Sequence, residues 1–460
     1  MLKCLLLWII IILSATKLLA SILYIAINPN ECSSCTIALS FTKHINSNEA
    51  LVFVLQERNV DDSSTIAESL FLNDYQAQFV WSDSLFNAVS TNGYSTVTMF
   101  SADGSRRFEY PLKIFTASMA EGINRLSKRT DTIRLDKTNI AEVGTNEIYS
   151  KNSQVFFINR LKRKILAYDK IPNKVLYTLS IDDSIINQTY DMALGKGAHQ
   201  FHRGIVKQLK VPRANVIQQF WYHNDAAYVI MDNTYLQAVS DNKQDTVVAS
   251  FYAMHVFHND ALQQTYILAS EPILYKNDTL NFFPALYPTA LGLVGPVFKS
   301  RMRPPLYVLA HYGLNKNFVV PEKILPYTLP PIYKSNSYYH PVFYDSYFTF
   351  PLEDNIYNFL NQDTIHINSF PKNNVGELFK PPHKYVSAIA VVEDTVYMLY
   401  YVVDTKQYHY LQYHKKDKKV LIDKLIPSNR SIPVIDDWDP ACIYYSIDNN
   451  TLVRTHITSL

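Results

Sequence analysis

Two cysteines, Cys32 and Cys35 in the run Asn30-Glu31-Cys32-Ser33-Ser34-Cys35, have the types and spacing in this chain best suited to chemistry. A thiolate attacks a disulfide, and a second thiol three positions on reaches the first within one helical turn and resolves the mixed disulfide. A helix N-terminus favours the thiolate, because unpaired backbone N–H groups and the helix dipole stabilise the negative sulfur. The pair reads as an exchange centre or as a structural Cys32–Cys35 disulfide, and both readings stay open. The remaining cysteines are Cys4 and Cys442, too few for a disulfide-stapled scaffold.

Other constellations point less clearly to chemistry. His255 and His258, like His199 and His202, are spaced as metal ligands often are. On a strand, however, that spacing sends the two side chains to opposite faces, and no neighbouring Cys or Glu completes a site. Asp436-Asp437-Trp438-Asp439 could offer carboxylates to Ca²⁺, yet it reads better as a polar loop at a sheet edge. Cys442 reads as a buried free thiol in an apolar strand. With 11 glycines in 460 residues, no GxGxxG or GxxxxGK[ST] phosphate loop occurs. The GxSxG and HExxH motifs are absent too. A net charge of +2 gives no broad field for nucleic acid. No cofactor and no metal are expected.

The elements that must position Cys32 and Cys35 follow from hydrophobic patterning. Ile22 to Ile27 is a buried strand ending at Asn28-Pro29-Asn30, and Cys32 to Ile45 has helical spacing. Leu51 to Leu55 is a second buried strand, and Asp61 to Phe71 a second helix. Gln78 to Trp81, a short helix over Ser82 to Val89, and a hairpin of Thr96 to Phe100 with Arg107 to Leu112 complete the pattern before a helix over Phe115 to Arg129. The order is β-α-β-α-β-α-β-β-α.

Residues 21–130 so arranged resemble the thioredoxin-like superfamily, in particular exported thiol–disulfide domains of the thioredoxin or TlpA type. The resemblance rests on NECSSC, the helix after it, LVFVL, and the block Gly93 to Gly104 (GYSTVTMFSADG). It implies an α/β domain in which Cys32 is the exposed nucleophile and Cys35 the more buried resolving thiol. It also implies that Ser95 and Thr96 lie beside the pair and offer backbone groups to a substrate chain. Three positions depart from the family pattern. Glu31 stands where Trp is usual, and a carboxylate there disfavours the Cys32 thiolate. Ser95 replaces the usual proline, and Ala26 replaces the buried Asp of thioredoxin itself, removing a proton acceptor for Cys35.

Residues 131–460 change character: 29 of the 33 tyrosines fall here. Short apolar-aromatic strands recur, joined by polar turns, as in KRKILAYDKIPNKVLYTLS and VVEDTVYMLYYVVD, and no long amphipathic helix is evident. About 330 residues at roughly 40–50 per blade give six to eight blades. Six fits best, because the proline-rich stretch from 280 to 380 is long and irregular; a pair of β-sandwiches is the alternative. The strand Thr132 to Leu135 is placed to join the last blade and close the ring.

Residues 1–20 combine Lys3, an apolar core from Leu5 to Leu13 and small residues after it, the layout of a signal peptide or of an uncleaved N-terminal membrane anchor. Either puts the body of the protein outside the cytoplasm. The fold class expected is multidomain: an α/β thioredoxin-like domain over 21–130, then an all-β propeller over 131–460. The function expected is thiol–disulfide exchange at Cys32 and Cys35 on a protein client or redox partner, which the propeller holds. The alternative is a non-enzymatic propeller receptor or scaffold with a structural thioredoxin-like domain.

Overall fold

The computed structural model describes residues 22–28, 31, 34–42, 44–45, 50–56, 78–100, 106–126, 130–134, 147–195, 202–207, 215–238, 245–268, 273–275, 278–282, 285–289, 291–299, 306–328, 341–367, 384–427, 432–446 and 451–460. The N-terminal segment 1–20, Cys32, the helix expected over 61–71 and the turn at Asp103-Gly104 lie outside these residues. No described helix is long and apolar enough to cross a membrane.

The chain divides into two compact units. The first holds a five-stranded sheet of β1 (Ile22–Ala26), β2 (Ala50–Leu55), β3 (Gln78–Trp81), β4 (Thr96–Phe100) and β5 (Arg106–Pro111), in the order β3-β2-β1-β4-β5. Strand β1 is central, parallel to β2 and antiparallel to β4. A central strand is covered on both faces, which explains its unbroken apolar run: Leu23, Ile25 and Ala26 are fully buried. Helix α1 (Ser34–Thr42) follows β1. Helix α2 (Asp83–Val89) starts at Ser82, whose Oγ accepts the Leu85 N–H at 3.2 Å, a side-chain cap for an otherwise unpaired donor. Helix α3 (Ala117–Leu126) buries Met119, Ala120, Ile123 and Leu126 at helical spacing.

This unit also takes in residues 152–154 and 169–174. The physical reason is close contact. Tyr110 Oη donates to Asp169, and Arg125 Nη2 donates to the Lys170 carbonyl at 3.2 Å. Gly122 lies so near Ile171 that a Cβ there would stand 1.9 Å from its carbonyl oxygen.

The second unit is β-rich and propeller-like, with successive antiparallel meanders in chain order. The first meander is β7 (Glu147–Lys151), β8 (Gln154–Asn159), β9 (Lys164–Asp169) and β10 (Lys174–Ser180). An eleven-stranded sheet follows, formed by β11 (His202–Lys207), β12 (Val216–His223), β13 (Ala226–Ala238), β14 (Asp245–His258), β15 (Ala261–Leu268), β16 (Ile273–Tyr275), β17 (Asp278–Phe282), β18 (Tyr287–Thr289), β19 (Gly292–Lys299), β20 (Leu306–Asn315) and β21 (Phe318–Thr328). Among the described residues, strand pairing between its halves, β12–β15 and β19–β21, consists of two parallel residue pairs between β15 and β21. Two further meanders are β22 (Val342–Tyr344), β23 (Tyr347–Thr349), β24 (Asn355–Asn358) and β25 (Thr364–His366), then β26 (Lys384–Val392), β27 (Thr395–Val402), β28 (Gln407–His414) and β29 (Lys419–Ile426).

The last sheet comprises β30 (Val434–Ile435), β31 (Cys442–Ser446) and β32 (Thr451–His456), with β6 (Thr130–Arg134) as its fourth strand. The closing position expected for a strand near 132–135 is thus filled by β6. Hydrophobic clusters link each meander to the next, and the last to the first: Ile133, Tyr444 and Leu452 pack with Ile148, Phe157 and Leu166.

Two features depart from the sequence reading. Helix α4 (Asp183–Gly195) lies among the strands. Asp182 Oδ1 caps it by accepting the Ile185 N–H at 3.0 Å, and Ile186, Tyr190 and Ala193 turn into the core. The hairpin turns explain the scarcity of glycine. Asn152, Asn173, Asn259, Asp345, Glu393, Lys406 and Lys418 all adopt positive φ, a conformation that short polar residues tolerate best and other L-residues at a cost.

Candidate functional site

In the first unit, β1 delivers the chain to Asn28 and Glu31, and α1 carries Cys35 as its second residue. Across from them stands the loop 93–95, which leads into β4. Gly93 turns this loop at φ +71°, and the Asn28 side-chain amide donates to its carbonyl at 3.1 Å. Ser95 is 2% exposed and Thr96 4%. Every polar group of Ser95 is engaged. Its N–H donates to Glu31 Oε2 at 2.7 Å, its Oγ accepts the Asn28 N–H at 2.9 Å, and its carbonyl accepts the Leu112 N–H at 2.8 Å. Glu31 is held from its other side by its own N–H, which donates to the Asn28 carbonyl at 3.0 Å. The loop before the cysteines and the loop of Ser95 are therefore brought together, with Glu31 as the clasp. A substrate chain pairing with Ser95 would have to displace a charged acceptor, a bond stronger than a neutral one. Sequence patterning located Glu31 and Ser95 but not their bond, which joins residues 64 positions apart.

His255 and His258 separate as strand geometry requires. His255 is fully buried on β14 while His258 is exposed. Burial pushes the His255 imidazole down to about 4, and its Nδ1 lies 3.0 Å from Thr265 Oγ1. Residue 199 and the side chain of His202 lie outside the described atoms. Among the described residues, no group of three or more His, Cys, Asp or Glu is disposed to hold a metal ion.

The aspartate run is not the polar edge loop that the sequence suggests. Asp436 is 0% exposed and pairs with Arg454, itself 1% exposed, through Arg454 Nε at 2.7 Å. Ser150 Oγ and the Trp438 N–H also donate to Asp436, each at 3.1 Å. Lys151 Nζ lies 3.1 Å from Asp437 Oδ1. These bonds tie β7 of the first meander to the last sheet, so the carboxylates serve ring closure. Cys442 is a buried free thiol whose pKa burial pushes up; such a thiol is inert rather than reactive.

A second cluster of titratable groups escaped sequence reasoning. Lys384 opens β26 and is 2% exposed, its Nζ 5.8 Å from the Tyr400 ring centroid. Asp354 and Asp423 both act on it, yet burial outweighs them and pushes its ammonium down to about 6. Burial pushes Glu353 up to about 7, although Tyr357 Oη donates to it at 2.8 Å. A lysine before an apolar run carries no sequence signal of burial, because strand-initial lysines commonly point into water.

No protein-family model matches the sequence, and no curated protein matches it. Among solved structures the chain is similar to a DUF4221 family member from Bacteroides vulgatus, at 10% identity and TM-score 0.37, over 72% of this chain and 96% of that one. It is also similar to the β-propeller domain of Myceliophteria thermophila Cps50 (Swd1), at 7% identity and TM-score 0.30, over 78% and 90%. A third likeness is to the Dos1 propeller, at 10% identity and TM-score 0.31, over 79% and 75%.

Proposed function

We propose that the chain is a protein-binding scaffold working outside the cytoplasm. In this reading a six-bladed propeller forms the binding body, and a thioredoxin-like N-terminal unit has a structural role. The occupied state of Ser95 carries the reading. The thioredoxin-like resemblance makes this loop the place where a client chain would pair, and here its N–H, carbonyl and hydroxyl are all engaged within the chain. The sheet order β3-β2-β1-β4-β5 with α1 after β1 supports the thioredoxin-like assignment. The run of hydrophobic clusters from meander to meander, returning to the first, supports six blades, with the two halves of the eleven-stranded sheet counted separately. The layout of residues 1–20 supports the location.

The test uses the full chain. Cross-linking in the native compartment, followed by mass spectrometry, should recover the same partner from wild type and from a Cys32→Ser/Cys35→Ser variant. Loss of the partner in the variant would overturn the scaffold reading.

One observation favours a second reading, thiol–disulfide exchange at Cys32 and Cys35. Cys35 lies in the first turn of α1, directly after the central strand, where helix N–H groups favour a thiolate. Trapping of mixed disulfides by Cys35→Ser is its test.

A further inference from the structure

The first strands of successive meanders touch one another in a closed circuit. Strand β30 lies against β7, β7 against β12, and β12 against β18. Tyr287 of β18 stacks on Phe343 of β22, with ring centroids 4.1 Å apart. Strand β22 lies against β26, and β26 against β30 again. In a propeller-like arrangement such strands line the axis. Side chains fix the register of β7 and β12. Arg160 Nε donates to Glu147 at 2.6 Å, and its Nη1 to the Gln218 carbonyl at 2.7 Å. Two residues further on, the Tyr149 ring meets Phe220 edge-on at 5.3 Å. Residues 147 and 149 are thus level with 218 and 220, the two strands run in one direction, and Lys151 is level with the end of β12 at Tyr222-His223.

At this end of the circuit different meanders each contribute a polar side chain. Lys151 ends β7, and its Nζ lies 3.1 Å from Oδ1 of Asp437, just past β30. His223 ends β12. Tyr344 ends β22 and packs against the cluster that holds Ala390 of β26 and Ile435 of β30. The Lys151 side chain is 35% exposed, so this pair meets solvent where the Asp436–Arg454 pair is sealed. Burial opposes the Lys151 charge, but Asp437, with Tyr149 and Tyr344, holds the ammonium charged. Burial and then Lys151 lower the His223 imidazole. Asp437 accepts one of the three N–H groups of the ammonium. With the Tyr344 hydroxyl and a neutral imidazole N–H beside it, the cluster is rich in donors. The hairpin turns beyond the strand ends are acidic: Asp225 follows β12, Asp345 follows β22 and Glu393 follows β26, all exposed. Asp394, beside Glu393, is already paired with Lys416 at 2.5 Å.

We propose that this end of the axis docks the free C-terminus of a partner protein whose preceding residues are basic. Lys151 holds the carboxylate, and the turns at Asp225, Asp345 and Glu393 draw in the basic residues. The proposal deepens the scaffold reading by naming what is gripped, and it rests on that reading.

Charge complementarity selects this occupant. A carboxylate matches the ammonium, and charge-assisted bonds of this kind are short and strong. A phosphate dianion would bring twice the charge up to Asp437, which sits directly behind the ammonium. The acidic turns repel any simple anion, and they attract one that carries positive charge behind its carboxylate. Those exposed carboxylates act through water and are screened within about 8–10 Å at ordinary salt. They therefore select the partner and speed its arrival more than they hold it.

Fluorescence anisotropy with the full chain tests the site. The probe is a peptide labelled at its N-terminus and ending in Lys-Lys-Ala with a free carboxylate. Saturable binding is expected, about tenfold weaker for the same peptide ending in a carboxamide. Replacing its two lysines by glutamates should weaken it about threefold. Lys151→Met should weaken the acid peptide about tenfold and leave the amide peptide unchanged. If Lys151→Met does not fold, Tyr344→Phe decides, with an expected loss of about threefold for the acid peptide alone. No saturable binding, equal binding of acid and amide, or an acid peptide that Lys151→Met or Tyr344→Phe binds as wild type does overturns the proposal. Acetate that displaces the peptide at equal concentration overturns it too, because the site would then belong to small carboxylates. If Lys151→Met binds the acid peptide as wild type does and still cross-links to the wild-type partner, the scaffold reading stands and the C-terminal site falls.

Discussion

Replacing Arg454 by Met should reveal how much of the ring depends on its buried ion pair. The guanidinium Nε sits 2.7 Å from Asp436 Oδ2, with the two side chains 1% and 0% exposed. Solvent screening is negligible there, so the pair cannot be treated as a surface salt bridge. Removing one member of a buried pair leaves the other charge uncompensated, at a cost of about 3–5 kcal/mol. Asp436 keeps the Ser150 hydroxyl and the Trp438 N–H, each at 3.1 Å, which places the expected cost near the lower end, about 3 kcal/mol. A double variant, Asp436→Leu/Arg454→Met, should recover most of that loss, because an apolar pair of similar volume also avoids the desolvation cost. Urea unfolding followed by tryptophan fluorescence reads the effect, with Trp438 two residues from the carboxylate. A loss below about 1 kcal/mol for Arg454→Met, or a double variant as unstable as the sum of the singles, would refute a closing role for the pair.

Two other substitutions follow from the same structure. His255 is held near pKa 4 by burial, below its unfolded value of about 6.5; the unfolded chain therefore protonates first. Stability should fall by up to about 3 kcal/mol as pH drops from 6.5 to 4, and His255→Gln should flatten that slope in urea titrations. Lys418 occupies a hairpin turn at φ +50°, where glycine relieves backbone strain but adds freedom to the unfolded chain. Lys418→Gly should stabilise by about 0.5–1 kcal/mol in the same assay.

Local patterning located much of the architecture and little of its wiring. The unbroken apolar runs at Ile22–Ile27 and Leu51–Leu55 read as buried strands, and β1 and β2 form there. The alternating Tyr-rich segments paired by polar turns read as meanders, and β26–β29 form one. Helix α4 was hidden because Asp183–Gly195 carries a modest apolar stripe among strands, and its burial comes from tertiary packing with Ile217 and Phe251. The clasp of Glu31 on Ser95 was invisible because it joins loops 64 positions apart. Asp436 looked like a solvated turn residue, since its partners Ser150 and Arg454 lie 286 and 18 positions away. Lys384 gave no signal at all, because the charge of a lysine is legible in sequence and its burial is not. What chain-local chemistry imposes was readable; what the closed ring imposes was not.

The central claim is that Cys32 and Cys35 belong to a structural unit of a binding scaffold, in which Ser95 is already satisfied by Glu31. Reduction of a protein disulfide such as that of insulin, measured at pH 7 for wild type and for Cys32→Ser, tests it most directly. The account predicts equal rates, at the level of an unactivated thiol. A wild-type rate tenfold or more above that of Cys32→Ser would contradict it.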